Sequence, residues 1–411
     1  MYALWHFRCC AVAFSCLGRL FFLSGQVVFL GMLMPFFSPL KFRFSSPFFA
    51  VSALVAVLLT SCVDAARVAE TDNLLSHARW LTLRQHDAVC EAMVRNPWDS
   101  TAVLAHYVLL GEGVPVPQDV PDEATVLRVP LQRVALMSSV HAALALDLGA
   151  ASEVASLADT AYAVRADVRA MVRRGDWADG GSSIKPDVEA MVMRRTDAVW
   201  VSPMAHATHG AMAHAPLAVV VCADYMEPTP LARAEWMRFY GRLLGQTARA
   251  DSLFEAVAQA YTAAQSHGGG HRPRVMMDTK QGASWFVPGA QSYVAALLMD
   301  AGFDYAFADA AGQGSVPLTM EEVMTRARDS EVWLLRSSAA RVPSYAALAQ
   351  DNAAYAHFRP YRQHRVYACP TLRVPYFEDI AFHPDRILGD LRQIAEQRAD
   401  TLHYFFPLPL R

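Results

Sequence analysis

Residues 202–214 read Ser-Pro-Met-Ala-His-Ala-Thr-His-Gly-Ala-Met-Ala-His, which puts three histidines and two methionines within eleven positions. On a helical turn His206 and His209 share one face, a spacing that can ligate a metal or clasp a haem iron. The plainer alternative is a polar loop at the mouth of a cleft. Receptors for bare transition-metal ions usually need three or four converging ligands, often with a carboxylate. This segment alone does not assemble such a set, so no metal site is expected. His267 and His271 flank a triple glycine and read as exposed linker. The sequence has no G-x-S-x-G, no G-x-x-x-x-G-K-[ST] and no H-E-x-x-H, and its carboxylates form no local pair. A non-enzymatic protein is expected.

The elements that position these residues begin behind a leader. Arg8, Arg19, Lys41 and Arg43 are the only charges before Asp64, so the body is more acidic than the whole-chain net of −3. A mildly acidic body without a basic stripe gives no support to nucleic-acid binding. Residues 34–62 read MPFFSPLKFRFSSPFFAVSALVAVLLTSC. A short basic part precedes an uncharged stretch and small residues, the layout of a secretory signal. Its end, Leu59-Thr60-Ser61-Cys62, resembles the bacterial lipobox, in which the cysteine is lipidated and becomes the mature N-terminus. An uncleaved transmembrane anchor is the alternative, although the apolar run is short for a span. Translation is expected to start at Met34 or Met32. Beyond the leader only Cys90, Cys222 and Cys369 remain, without C-x-x-C spacing. One disulfide among them is allowed outside the cytoplasm; three buried thiols are the alternative.

With 411 residues, 54% of them hydrophobic, the chain can build two ordinary domains. Residues 63–75 suit a tether, and residues 78–110 mix short apolar runs with a turn at Asn96-Pro97-Trp98-Asp99. Strand, loop and helix then alternate. Strands are expected over 133–137, 197–201 and 216–222, and helices over 140–148 and 187–195. Such alternation predicts βαβ units around a mainly parallel sheet. Residues 231–245 and 248–266 read as helices. A second set follows the triple glycine, with strands at 274–277 and 331–335 and helices over 289–302, 319–328 and 384–396. The expected fold is α/β: two Rossmann-like lobes (76–246 and 269–411) joined by a single long helix (247–268).

Six segments carry a resemblance. In the first lobe they are RVALMSSVHAALALDLGA (133–150), KPDVEAMVMRRTDAVWVSP (185–203) and YMEPTPLARAEWMRFYGRLLG (225–245). In the second they are WFVPGAQSYVAALLMDAGFDYAF (285–307), LTMEEVMTRARDSEVWLL (318–335) and FHPDRILGDLRQI (382–394). In this order they resemble the periplasmic binding proteins that serve ABC importers of iron siderophores, haem and cobalamin. The chain departs from that pattern at Asp329-Ser330-Glu331, where the family usually has Pro-Asp, and in its His-rich segment.

The resemblance implies a ligand cleft between the lobes, lined by loops at the carboxyl ends of the strands, in agreement with the rule for open α/β sheets. Those loops contain Ser138, Ser139 and His141; His206 and His209; Tyr225, Met226 and Glu227; Trp285 and Phe286; Arg336, Ser337 and Ser338; and Tyr376. Aromatic residues suit a large flat ligand, and an arginine suits an anionic chelate or a propionate. For Trp285 core and cleft are equally open; Trp236 reads as core. The resemblance further implies a monomeric, lipid-anchored receptor (lipid on Cys62) with no resident cofactor. It would deliver an iron complex, ferric siderophore or haem, to a permease and its ATPase. A cobalamin receptor and a structural or adhesive surface lipoprotein are the alternatives. Members of the family dock through one surface glutamate on each lobe; the matching positions are Glu189 and Glu321, with Glu322 as the alternative to the latter.

Overall fold

The computed structural model describes residues 73–205, 212, 214–266, 270–339, 341–398 and 401–410, and the antiparallel strand pair Phe22–Leu23 and Gln26–Val27. Cys62, His206 and His209 lie outside these residues. The chain divides into two compact units, Met1–Ala66 and Arg67–Arg411; the strand pair belongs to the first, and all that follows belongs to the second.

The second unit opens with a four-stranded sheet: β1 (Leu81–His86), β2 (Val89–Arg95), β3 (Val103–Leu110) and β4 (Thr125–Arg128). The first three are antiparallel, and β4 runs parallel to β3. Period-two alternation explains the pairing. Leu81, Leu83, Ala92 and Val94 turn into the core, whereas Thr82, Arg84, Glu91 and Met93 turn away. Residues 78–110 thus form a sheet of their own instead of loose apolar runs within the first lobe. Tyr107 ties this sheet to its neighbour: its hydroxyl donates to Val219 O (3.0 Å) and accepts from Val221 N (2.9 Å).

That neighbour is the first parallel sheet. It contains β5 (Val134–Leu136), β6 (Val154–Leu157), β7 (Ala178–Asp179), β8 (Ala198–Val201) and β9 (Ala218–Val221). Their spatial order is β9-β8-β5-β6-β7. Sequences such as AVWV and AVVV are apolar throughout because helices cover parallel sheets on both faces. The helices here are α1 (Ser139–Asp147), α2 (Ala166–Arg174) and α3 (Val188–Met193).

The helix expected over 231–245 breaks at Trp236 into α4 (Pro230–Glu235) and α5 (Met237–Leu243). The 18-residue α6 (Thr247–Ala264) follows, about 27 Å long at the helical rise. Ala250 and Phe254 of α6 belong to the first lobe's core and Tyr261 to the second's, so this helix packs into both.

In the second lobe, β10 (Arg274–Met277) is followed by β11 (Lys280–Gln281), β12 (Ser284–Pro288), β13 (Asp304–Tyr305) and β14 (Ser315–Leu318). Then come β15 (Val332–Ser337), β16 (Val366–Pro370) and β17 (Phe406–Pro407). One sheet has the order β13-β10-β15-β16-β17, parallel except for the last strand. The other, β11-β12-β14, is antiparallel. Its helices include α7 (Tyr293–Asp300), α8 (Met320–Ala327), α9 (Tyr345–Asp351), α10 (Arg359–Arg362), α11 (Tyr376–Ile380) and α12 (Pro384–Ala395).

Helix α6 is not the sole link between the lobes. Residues 376–383 form a second bridge: Glu378 accepts from Val164 N (2.9 Å) and Arg165 N (2.7 Å), and Ala381 and Phe382 complete the first lobe's core. Cys90, Cys222 and Cys369 are all free and buried, so the alternative without a disulfide holds.

Candidate ligand cleft

Three neighbouring cavities lie at the carboxyl ends of the parallel strands, and Tyr225 lines all of them. It sits in the single turn Asp224–Met226 that follows β9, and its hydroxyl donates to Pro203 O. The cavity between the lobes, about 280 Å³, takes Tyr225, Met226 and Arg233 from the first lobe and Tyr293, Arg336 and Phe377 from the second. A mouth of about 560 Å³ is lined by Trp98, Met204, Gln291 and Gln313. The third, about 870 Å³, lies in the first lobe, with Met137, Ser138, Ser139, Tyr162, Ile184 and Met204 among its walls.

Each lobe supplies one arginine, and a buried carboxylate holds each. Arg336 donates from its backbone N (3.2 Å) and Nε (3.0 Å) to Asp278 Oδ1, and from Nη2 to Oδ2. Arg233 donates from Nε to Asp224 Oδ2 at 3.1 Å. Asp224 also accepts from the Tyr240 hydroxyl (3.0 Å), and its Oδ1 lies 3.1 Å from His141 Nε2. Burial alone would raise the Asp224 pKa, but His141, Arg233 and Tyr240 outweigh it and keep the carboxyl below its usual range. Burial works against both guanidiniums too, and their neighbours reverse it: Tyr293 and Asp224 at Arg233, Asp278 at Arg336. Both stay charged. The Arg233 guanidinium stacks on the Tyr293 ring, 4.6 Å from its centroid. Among the described residues no hydrogen bond engages the Nη groups of Arg233 or Nη1 of Arg336, which leaves them as donors at the cavity wall.

Of the residues singled out by sequence, Ser138, Ser139, Tyr225, Met226 and Arg336 line these cavities. Ser138 also N-caps α1, accepting from Val140 N. Six others are placed differently. His141 is 3% exposed and packs against Trp200, Tyr240 and Phe382 in the core. Glu227 is equally buried. It accepts from Arg79 N, Trp80 N and Trp236 Nε1, a clasp on the chain entering β1, and burial lifts its pKa to about 7. Trp285 is core, donating to Met277 O at 2.8 Å and packing on Trp333. Phe286, the next residue along β12, is exposed but on none of the three walls; Ser337 faces none either, and its hydroxyl accepts from Ala339 N. Tyr376 is buried beside Arg336, while the adjacent Phe377 emerges into the cavity. The sequence reading passed over Arg233, Tyr293 and Phe377. The one signal for Arg233 was a charge amid the apolar residues of Leu-Ala-Arg-Ala.

Glu189 and Glu321 stand exposed in the first turns of α3 and α8. Glu322 is engaged in a capping box with Thr319, which leaves Glu321 as the unengaged carboxylate of the two.

Residues 219–371 match the periplasmic binding protein family. An uncharacterized lipoprotein of Methanocaldococcus jannaschii is 28% identical over 183 residues, 44% of this chain and 42% of that relative, so less than half of the relative's length is matched. Among solved structures, an ABC-type Fe3+-hydroxamate transport protein of Saccharomonospora viridis superposes with TM-score 0.51 at 20% identity, over 64% of this chain and 93% of that one. A periplasmic haem-binding protein of Pseudomonas aeruginosa gives 0.50 at 17%, over 69% and 99%. The body of this chain thus has the fold of the periplasmic binding proteins, and residues 219–371 carry that family's sequence match.

Proposed function

We propose that the chain is the ligand-capturing subunit of an ABC importer. It binds an iron complex, a ferric siderophore or haem, between its lobes and passes it to a membrane permease driven by an ATPase. The observation that carries this reading is one cavity with an arginine from each lobe and the aromatic faces of Tyr225, Tyr293 and Phe377. Such walls bury a wide apolar surface and satisfy oxyanions at fixed points. The functions of the structural neighbours, Fe3+-hydroxamate transport and haem binding, support the choice of ligand. The role is capture and delivery, without catalysis. Anchoring is through a lipid on Cys62, outside the cytoplasm, and the lipoprotein relative supports it. A Cys62→Ser chain should then incorporate no labelled fatty acid; labelling that persists would refute the anchor.

Docking is assigned to Glu189 and Glu321. Paired surface charges fix a partner's orientation and speed encounter. Glu189→Arg and Glu321→Arg should each leave ligand affinity within about twofold and lower vesicle transport more than about tenfold. Normal transport by both variants would remove the assignment. The ligand reading is tested by purifying the full chain in detergent and following absorbance, iron content and mass spectra of what accompanies it. Iron complex bound at one equivalent is expected. Failure to bind any ferric siderophore or haem would overturn the reading.

A further inference from the structure

Three of the most exposed apolar side chains among the described residues line one cavity. Ile184 is 94% exposed, Met204 69% and Tyr162 68%, and all three line the first-lobe cavity of about 870 Å³. Met193, 85% exposed, ends the α3 helix whose first residue, Val188, lines the same cavity. Contiguous exposed apolar surface around a cavity marks a binding surface, whereas single exposed residues carry no such meaning. Its walls add Met137, Met212 and Val201, thioether and branched side chains that adapt to an irregular apolar body, beside a polar part made by Ser138, Ser139, Asp159, Ser183, Lys185 and Ser202. Tyr225 lines both this cavity and the arginine-bearing one. A ligand lying across Tyr225 would meet charged donors on one side and mainly apolar walls on the other.

Resting on the importer reading above, we infer that the first-lobe cavity is an apolar subsite, and that the ligand is an amphipathic anion. Its carboxylates meet Arg233 and Arg336, and its apolar body lies across Tyr225 against the methionine wall. Flat macrocyclic dicarboxylates and acyl-tailed carboxylate siderophores share this chemistry. Compact hydrophilic chelates leave the chamber unfilled, and neutral chelates leave the free guanidinium donors unmatched.

The test titrates the full chain in detergent with five probes: iron(III) protoporphyrin IX, its dimethyl ester, an acyl-tailed ferric carboxylate siderophore, ferric citrate and a neutral ferric hydroxamate. The two amphipathic acids distinguish macrocycle from acyl tail. At least one of them should bind more than about tenfold tighter than both the ester and ferric citrate, from the loss of one charged hydrogen bond or of the apolar burial. Ile184→Ser and Met204→Ser, both at exposed positions, should weaken the amphipathic acid severalfold and leave ferric citrate unchanged. Arg336→Gln should abolish the preference of acid over ester; the acid–ester comparison on the unaltered chain stands even if that variant folds poorly. Ferric citrate or a neutral ferric hydroxamate binding best, with the two serine variants unaffected, would overturn the amphipathic assignment while leaving the importer reading intact. Failure of every iron probe would instead remove the importer reading.

Discussion

Asp147 gathers donors from both lobes. Arg165 reaches it with two hydrogen bonds (2.9 and 2.8 Å), and His383 Nε2 of the second lobe lies 3.1 Å from its Oδ2. Burial would raise its pKa, yet the His383 and Arg165 contacts prevail and hold it at about 2, below the ordinary 3.8. A depressed carboxylate pKa adds stability that is fully present above 3.8 and is lost as pH falls from there toward 2. The contribution is about 2 kcal/mol. Denaturant unfolding of the full chain across that window should show the decline, and Asp147→Asn should flatten it while costing about 2–4 kcal/mol near neutral pH. An unchanged acid limb in the variant would mean that other carboxylates carry the effect. At this scale the rule of strand carboxyl ends located the cleft, since Ser138, Tyr225 and Arg336 all face cavities there. It does not decide which side chain of a loop turns outward. His141 lies one helical turn behind the Ser138 cap and points into the core; Glu227 follows Met226 and turns back to clasp Arg79 and Trp80. Arg233 faces the cavity because Asp224, nine residues earlier, pulls it there, a pairing no local pattern reveals.

Elements were the most legible scale, where hydrophobic period and caps agree. Pro384-Asp385 opens α12, Thr319 caps α8, and AVWV and AVVV are buried parallel strands, all as the pattern demands. The first sheet was less legible because Asn96-Pro97 and the prolines of 111–122 interrupt its alternation, and β3 pairs with β4 across that long loop. The break of 231–245 at Trp236 has a tertiary cause: the indole is fully buried and donates to Glu227, which holds the kink in place. Gly241 lies in α5 where α6 crosses, and a Cβ there would sit 2.3 Å from Ala250 Cβ. Gly241→Ala should therefore destabilise by about 1–3 kcal/mol despite its better helix propensity. Adding Ala250→Gly should restore much of that loss, a coupling that thermal unfolding of both single variants and the double variant measures.

For the molecule as a whole, the lobes are held by α6, which enters both cores, by the 376–383 bridge with Glu378 and His383 on the first lobe, and by α4, whose Arg233 stacks on Tyr293. The cavity between them presents fixed donors and aromatic faces, the features a preorganised site would need. Its ligand was not legible in the sequence, because the cavity takes one arginine from each lobe and only folding brings Arg233 and Arg336 together. The central claim, that this cleft captures an iron complex, is tested most directly by calorimetric titration of the full chain with ferric siderophores and haem, alongside its Arg336→Gln variant. One equivalent should bind with a dissociation constant of about 1 μM or tighter, and the variant should bind more than about tenfold more weakly. No heat of binding with any iron complex, or equal affinity in the variant, would contradict it.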